Sequence, residues 1–337
     1  MICAQRVFRC FRALERLGDR ITGAAGPYFV ALAIILTSTG TVCFFDVIAP
    51  GLNYRLVTLP ICILIALNLH MHYYYVCTVR PGFVEEPPKL QGHGLLWAKR
   101  RAKRRGGDGG VLTAPVRVNG ARVTVAEIMK CRKCGQQRPE RAHHCRICNR
   151  CVLKYDHHCP VRINQCVGLH NERHFVLFLV YLAISTLCYS VLGWPFLLES
   201  LGVTYSLEWP YHVPEVAFAM IYILAVVLCI AVGIMGGYHI WEVANGETSV
   251  EAQDHEVYRN RAKERSESTI PNSVNDRKRK NLELFFNIGD GGYPWYTLIL
   301  PLRVMPYTDG HSWARRDGYD RHAGVRVGDE LTDEEEG

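Results

Sequence analysis

Four stretches of the chain are apolar for long enough to cross a bilayer, and they alternate with segments that are densely polar. The first runs from Pro27 to Phe45 and carries no charge. The second, Leu56 to Val79, is bracketed by Arg55 and Arg80. The third covers Phe175 to Leu198, and the fourth runs from Val216 to Ile240 between Glu215 and Glu242. A spanning helix needs roughly 20 residues of this kind. The pattern predicts an all-α integral membrane protein with four transmembrane helices, bounded as 27–79 for helices 1–2 and 175–240 for helices 3–4.

The positive charge sorts the connecting segments. Between Arg80 and His174 lie 20 of the 39 Lys and Arg residues. The N-terminal arm, residues 1–26, adds Arg6, Arg9, Arg12, Arg16 and Arg20, and the segment after Glu242 holds most of the others. The two short connections, Asp46–Arg55 and Glu199–Glu215, contain only Arg55. Positively charged loops stay in the cytosol. Both termini and the central segment are therefore expected there, as an even number of spans requires. The arm is a basic amphipathic stretch with no signal-peptide cleavage site, and Cys3 and Cys10 within it read either as plain thiols near a membrane or as S-acylation sites.

The central segment divides. A loop at 80–130 contains the basic run Lys99–Gly110, read either as a solvated loop or as a contact for anionic headgroups. Strand-like alternation follows from Val111 to Val125. Behind the fourth span, residues 241–309 form a further cytosolic region, whose stretch Leu282–Tyr307 is rich in aromatics and suits a membrane interface. Residues 310–337 are polar, end in Asp-Glu-Glu-Glu-Gly, and are expected to be disordered.

Whole-chain composition hides this division. Hydrophobic residues make up 49% and the net charge is only +7. The cysteines are more telling. Seven of 14 fall between Cys131 and Cys166, a density that points to metal rather than to disulfides. The spacings Cys131–Cys134, Cys145–Cys148 and Cys148–Cys151 are those of zinc knuckles. With His143, His144, His157, His158, Cys159 and Cys166 there are enough ligands for two tetrahedral zinc sites, with one cysteine and two histidines left over. The segment has few long apolar residues, so metal would replace a core. Its tether between two spans argues against nucleic acid as a partner. Asp156, His157 and Cys159 are the residue types of an activated thiol: a nucleophile, a base and a carboxylate to orient the base. By residue type alone His157 or Cys159 fits a zinc site equally well.

The segment Cys131–Gly168 resembles the cysteine-rich domain of the DHHC protein S-acyltransferases, here at 131–174. Satellite motifs extend the resemblance over most of Tyr28 to Phe286. Arg80-Pro81-Gly82 is similar to the family's DPG motif, Thr248-Ser249-Val250-Glu251 to its TTxE motif, and Asn272, Asn281 and Phe286 to its Asn-aromatic motif. The resemblance implies short zinc-bound β-hairpins between helices 2 and 3. It implies one structural Zn²⁺ on Cys131, Cys134, His144 and Cys151, and another on Cys145, Cys148, His158 and Cys166. Cys159 is then the nucleophile, His157 the base and Asp156 its orienting partner. Acyl-CoA, in the form of palmitoyl-CoA, would be the co-substrate, with Arg138, Arg141 and His143 as candidates for its phosphates and Thr248 and Asn281 as braces. Partners would be the bilayer and cysteine-containing membrane-associated proteins, in the endoplasmic reticulum or Golgi. One feature departs from the family: where it reads DHHCPW, this chain has Val161-Arg162 after Pro160, one residue longer. That departure supports the rival expectation of an inactive zinc-binding scaffold. A channel would need ionisable residues inside its spans, and only His70 and His72 stand out in that respect.

Overall fold

The computed structural model describes residues 2–100, 117–118, 121–160, 163–203, 209–266, 277–289 and 291–315. Four helices are long and apolar enough to cross a membrane, at Ala24–Gly51, Arg55–Thr78, Glu172–Leu192 and Glu215–Asn245. The first is the latter part of α1 (Ile2–Cys43), continued by a wide turn at Phe44–Ile48 and a tight one at Ala49–Gly51. The others are α2 (Arg55–Thr78), α3 (Glu172–Leu192) and α5 (Glu215–Asn245). This arrangement fits a multi-pass membrane protein.

The third span is shorter than the unbroken Phe175–Leu198 expected from hydropathy. It stops at Leu192, and a separate short helix, α4 (Trp194–Ser200), follows. The local reason is the Gly193-Trp194-Pro195 step, since proline has no N–H for the preceding turn and favours the start of a new helix. At its other end α3 begins three residues before Phe175, at Glu172. The fourth span runs on to Asn245 and is closed by Gly246 with φ 79°, a left-handed cap that glycine adopts without strain.

Between α2 and α3 the chain makes short antiparallel hairpins. Strands β1 (Arg117–Val118) and β2 (Ala121–Val125) precede β3 (Ile128–Lys130) with β4 (Gln137–Pro139), β5 (His143–Cys145) with β6 (Arg150–Val152), and β7 (His157–Cys159) with β8 (Gln165–Val167). No strand pair here has a core of its own beyond small clusters such as Phe83, Cys145, Val152 and Cys166.

The segment after α5 wraps back over this region. It contains α6 (Ser249–Glu264), α7 (Lys278–Phe285) and strand β9 (Ser312–Arg315). Here the expectation of a disordered tail from 310 is corrected. β9 pairs antiparallel with β2, Thr124 opposite Trp313, and Trp313 is fully buried. The stretch between α7 and β9 is tied to the spans by main-chain acceptors. Asn68 donates to the Ile299 carbonyl (2.6 Å), Arg173 to Thr297 (2.7 Å), and Tyr181 to Leu298 (2.8 Å). Residues 316–337, the basic run beyond Arg100, and Asn272 lie outside the described residues.

Candidate active site and metal sites

The two expected quartets are brought together as two separate clusters. Cys131, Cys134, His144 and Cys151 form one, and Cys145, Cys148, His158 and Cys166 the other, each with its ligand atoms within 4.8 Å of one another. The hairpins do this by register. Opposite His144 on β5 stands Cys151 on β6, and opposite His158 on β7 stands Cys166 on β8. Turns supply the remaining cysteines. Gly135, at φ 73°, lets the chain reverse after Cys134, and Asn149, at φ 53°, does so after Cys148. The Cys148 N–H points at the Cys145 sulfur (3.3 Å).

The spacing suits a metal. Cys148 and Cys166 sulfurs are 3.4 Å apart, and Cys134 and Cys151 sulfurs 3.5 Å. A disulfide would bring them to about 2.05 Å, whereas a tetrahedron with arms of about 2.3 Å keeps them apart. The His158 Nδ1 lies 3.3, 3.5 and 3.6 Å from the sulfurs of Cys166, Cys148 and Cys145. Both clusters thus fit a metal ion held by three thiolates and an imidazole.

Strand alternation sorts the remaining side chains. On β7 successive residues face opposite ways. With His158 turned into the metal cluster, His157 and Cys159 share the other face. Cys159 packs at the edge of the core formed by the spans, a cluster that includes Leu69, Tyr73, Phe178 and Leu179. His157 Nδ1 is 2.8 Å from Asp156 Oδ2. The other carboxylate oxygen of Asp156 accepts the Ser249 N–H at 2.6 Å. Burial works to raise the Asp156 pKa, yet the His157 bond and charge and the Ser249 N–H hold it at about 2. Burial works to lower the His157 pKa, but its bonds to Asp156 and Cys159 lift it to about 9. The pair is therefore built to hold a positive charge on the imidazole.

The segment after α5 holds this pair in place. Thr248 caps α6, accepting the Glu251 N–H, while the Glu251 carboxylate accepts the Thr248 N–H in return. The same carboxylate makes two bonds to Arg141, at 2.5 Å from Nε and 2.7 Å from Nη2. Arg141 also donates to the Gly246 carbonyl (3.0 Å) and lies over the Trp313 ring at 4.7 Å. Asn281 donates to the Ala244 carbonyl at the end of α5 (2.9 Å). The bracing expected of Thr248 and Asn281 is visible in these bonds.

For Arg141 the phosphate-binding expectation is corrected, because its guanidinium is buried and committed to Glu251 and Gly246. Arg138 is buried and turned to the Ala142 carbonyl (2.8 Å). His143 is half-buried, beside the Tyr155 ring. Val161 and Arg162, which carry the departure from DHHCPW, lie outside the described residues. The Arg80-Pro81-Gly82 turn supports the site from behind, its Gly82 carbonyl accepting from Leu153 and its Pro81 carbonyl from His170.

Two residues were missed by sequence reasoning. His239 and Glu242, near the end of α5, stand beside Asp156 and His157. Their signal was present: two ionisable residues three apart in an apolar helix.

Between the spans lies an apolar cavity lined by residues that include Leu36, Phe44, Leu69, Leu182, Ser185 and Tyr189. Leu69 and Leu182 also belong to the cluster against which Cys159 packs.

Residues 125–256 match the DHHC palmitoyltransferase family. Over that stretch the chain is similar to a DHHC domain. Its matched stretch begins at the end of β2 and ends within α6, so it takes in both metal clusters, the Asp156–His157–Cys159 face and the Thr248–Glu251 cap. Among curated proteins the chain is similar to palmitoyltransferase PFA3 of Debaryomyces hansenii, at 30% identity over 189 residues covering 52% of this chain and 44% of that one. It is 39% identical to palmitoyltransferase ZDHHC7 of Rattus norvegicus over 132 residues, 37% of this chain and 41% of that protein. Human palmitoyltransferase ZDHHC15 is 31% identical over 193 residues, covering 55% and 50% respectively. The chain thus spans half or less of the length of these relatives.

Proposed function

We propose that the chain is a protein S-acyltransferase that moves a palmitoyl or similar acyl group from acyl-CoA to cysteine thiols of membrane-associated proteins. The observation that carries this reading is the Asp156–His157–Cys159 face, whose thiol packs against the apolar cluster of the spans that also contributes Leu69 and Leu182 to the cavity wall. Cys159 is the nucleophile. His157 takes its proton, and the thiolate attacks the acyl-CoA thioester carbon. The bond to the CoA sulfur breaks, and His157 returns the proton so that CoA leaves as a thiol. A substrate thiol then gives its proton to His157 and attacks the acyl-Cys159 thioester, and Cys159 is released as a thiol. Asp156 keeps the imidazole oriented and offsets its charge throughout.

The acyl chain would occupy the cavity, where each buried CH₂ contributes about 0.8 kcal/mol. Ser185 lies on its wall. Of the three cations expected to meet CoA phosphates, His143 remains the candidate. Two Zn²⁺ would be held by the two Cys₃His clusters, where they replace a hydrophobic core and fix the hairpins. The positive-inside asymmetry supports a cytosolic DHHC domain with both termini on the same side, and endoplasmic reticulum or Golgi membranes are the location proposed from the resemblance.

The test uses the full chain purified in detergent with a clickable palmitoyl-CoA. Hydroxylamine-sensitive label on wild type, absent from Cys159→Ala, is the expected result, with about two zinc ions per chain. A wild type that binds zinc and takes no label overturns the enzyme reading in favour of a scaffold, the alternative that Val161-Arg162 favours.

A further inference from the structure

Charged and titratable groups inside an apolar span cost about 2.5–3.5 kcal/mol each at the centre of a bilayer, so they are kept for a reason. Glu242 on α5 is almost fully buried. One of its oxygens accepts the Ser249 hydroxyl at 3.0 Å and lies 3.3 Å from His239 Nδ1. That same His239 nitrogen is 3.9 Å from Asp156 Oδ2. Ser249 closes the circuit through its backbone N–H, which donates to Asp156 Oδ1. The His239 ring lies nearly parallel to the His157 ring, with centroids 5.8 Å apart and planes 29° from each other. Phe175 meets His157 edge-on at 5.1 Å and His239 edge-on at 5.3 Å. His157 is thus boxed in by two rings, and one of those rings is itself tied to a buried carboxylate.

We infer that His239, held by Glu242, is a positioning residue for the Asp156–His157 pair. It rests on the acyltransferase reading and adds a function for the last turns of the fourth span. A histidine bonded through Nδ1 alone can still swing about its outer side-chain torsion. The His239 face removes that freedom, and the Glu242 carboxylate, 3.3 Å from the His239 Nδ1, holds the His239 face. The ring edge of His157 away from Asp156 is then directed at Cys159. Because Glu242 also holds Ser249, movement of the fourth span or of the Thr248–Glu251 cap would reach the catalytic histidine by a path of two contacts.

The experiment measures the initial rate of acyl-enzyme formation against palmitoyl-CoA concentration in the full chain, with zinc counted on each sample. The variants are His239→Leu, Glu242→Leu and Glu242→Gln. His239→Leu is expected to lower the maximal rate about tenfold, a fraction of what a positioned base contributes, with KM within about twofold of wild type. Glu242→Leu should fall in the same direction. Glu242→Gln, which keeps a polar oxygen of the same reach beside the His239 Nδ1, should recover to within about twofold of wild type. The inference is overturned by a His239→Leu rate equal to wild type, by a loss that resides in KM, or by Glu242→Gln failing as badly as Glu242→Leu. If His239→Leu loses zinc and does not fold, the Glu242 pair decides alone. Because Asp156, His239 and Glu242 lie within 4.8 Å of one another, a third zinc that disappears in Glu242→Leu would also overturn it, making the group a metal site. A wild type with no label at Cys159 overturns the acyltransferase reading and this one together. Every other adverse result counts against this one only.

Discussion

Arg141 shows how a single side chain can be misjudged by type and explained by place. An arginine in a basic, cysteine-rich segment suggests a phosphate ligand. In the fold it is buried, and Glu251 meets it with both oxygens. Glu251 is pushed upward by burial but held at about 2 by the Arg141 charge and bonds. Its folded pKa therefore lies below the ordinary value of 4.5, so the stabilisation is fully present above about pH 4.5 and is lost as pH falls toward 2. Removing one partner leaves the other charge buried and unpaired, which costs about 3–5 kcal/mol. Arg141→Met should therefore lower thermal stability strongly in detergent, whereas the double variant Arg141→Met with Glu251→Leu should recover much of the loss. The gap between wild type and Arg141→Met should narrow as pH falls from 8 to 5, because without Arg141 burial raises the Glu251 pKa and protonation relieves the unpaired charge, as differential scanning fluorimetry at each pH will show. A gap that stays flat in that range would mean that Arg141 is not what keeps Glu251 ionised.

Elements differ in how openly the sequence announces them. Each of the four spans is continuous in hydropathy, so a run of apolar residues is enough to find it. The metal hairpins are equally open, because Cys-x-x-Cys spacing is local and chemically specific. Sorting His157 and Cys159 from His158 needed the resemblance at first; in the fold, strand alternation alone accounts for it. Strand β9 gave no such sign. Ser312–Arg315 is four residues long, sits in a polar tail, and finds its partner in β2, nearly two hundred residues earlier. Pairing over that distance depends on the whole fold and leaves no local pattern. The break between α3 and α4 was legible, since Pro195 marked it, but hydropathy averaged over it. Trp313 is the anchor of β9, packed between Arg141 and Tyr307. Trp313→Ala should cost about 3–5 kcal/mol and should speed proteolytic loss of the segment after Met305, read by intact mass. The hairpins make the opposite prediction about metal. Because they have so little core among the described residues, a bound zinc would be folding energy for them. Stripping both ions with a strong chelator should abolish labelling of Cys159 and expose its neighbours to thiol reagents, and zinc added back promptly should restore the label. Labelling that survives complete loss of zinc would show that the hairpins stand without it.

At the scale of the molecule, three layers meet at one thiol. Spans enclose the cavity, metal hairpins set Cys159 against the apolar core that the spans form, and the segment after α5 reaches back to hold Asp156 through Ser249 and Arg141 through Glu251. The cavity wall gives this arrangement a measurable length. Ser185 lines it thirteen residues beyond Glu172, the first residue of α3. At about 1.5 Å per residue that is roughly 20 Å down the span. Its hydroxyl has no hydrogen-bond partner among the described residues, so no internal bond is lost when it is replaced. A larger side chain there would fill the far part of the cavity and leave the mouth intact. Each CH₂ excluded forfeits about 0.8 kcal/mol, or about fourfold in affinity. Ser185→Phe should therefore shift the preferred donor to a shorter chain, with the 16-carbon donor losing about fifteenfold against the 14-carbon one if two CH₂ groups are displaced. Competition between the two acyl-CoAs for Cys159, read by intact mass of the acyl-enzyme, measures that ratio directly. Equal ratios in wild type and Ser185→Phe would mean that the chain does not extend along α3, and the cavity would then need another occupant.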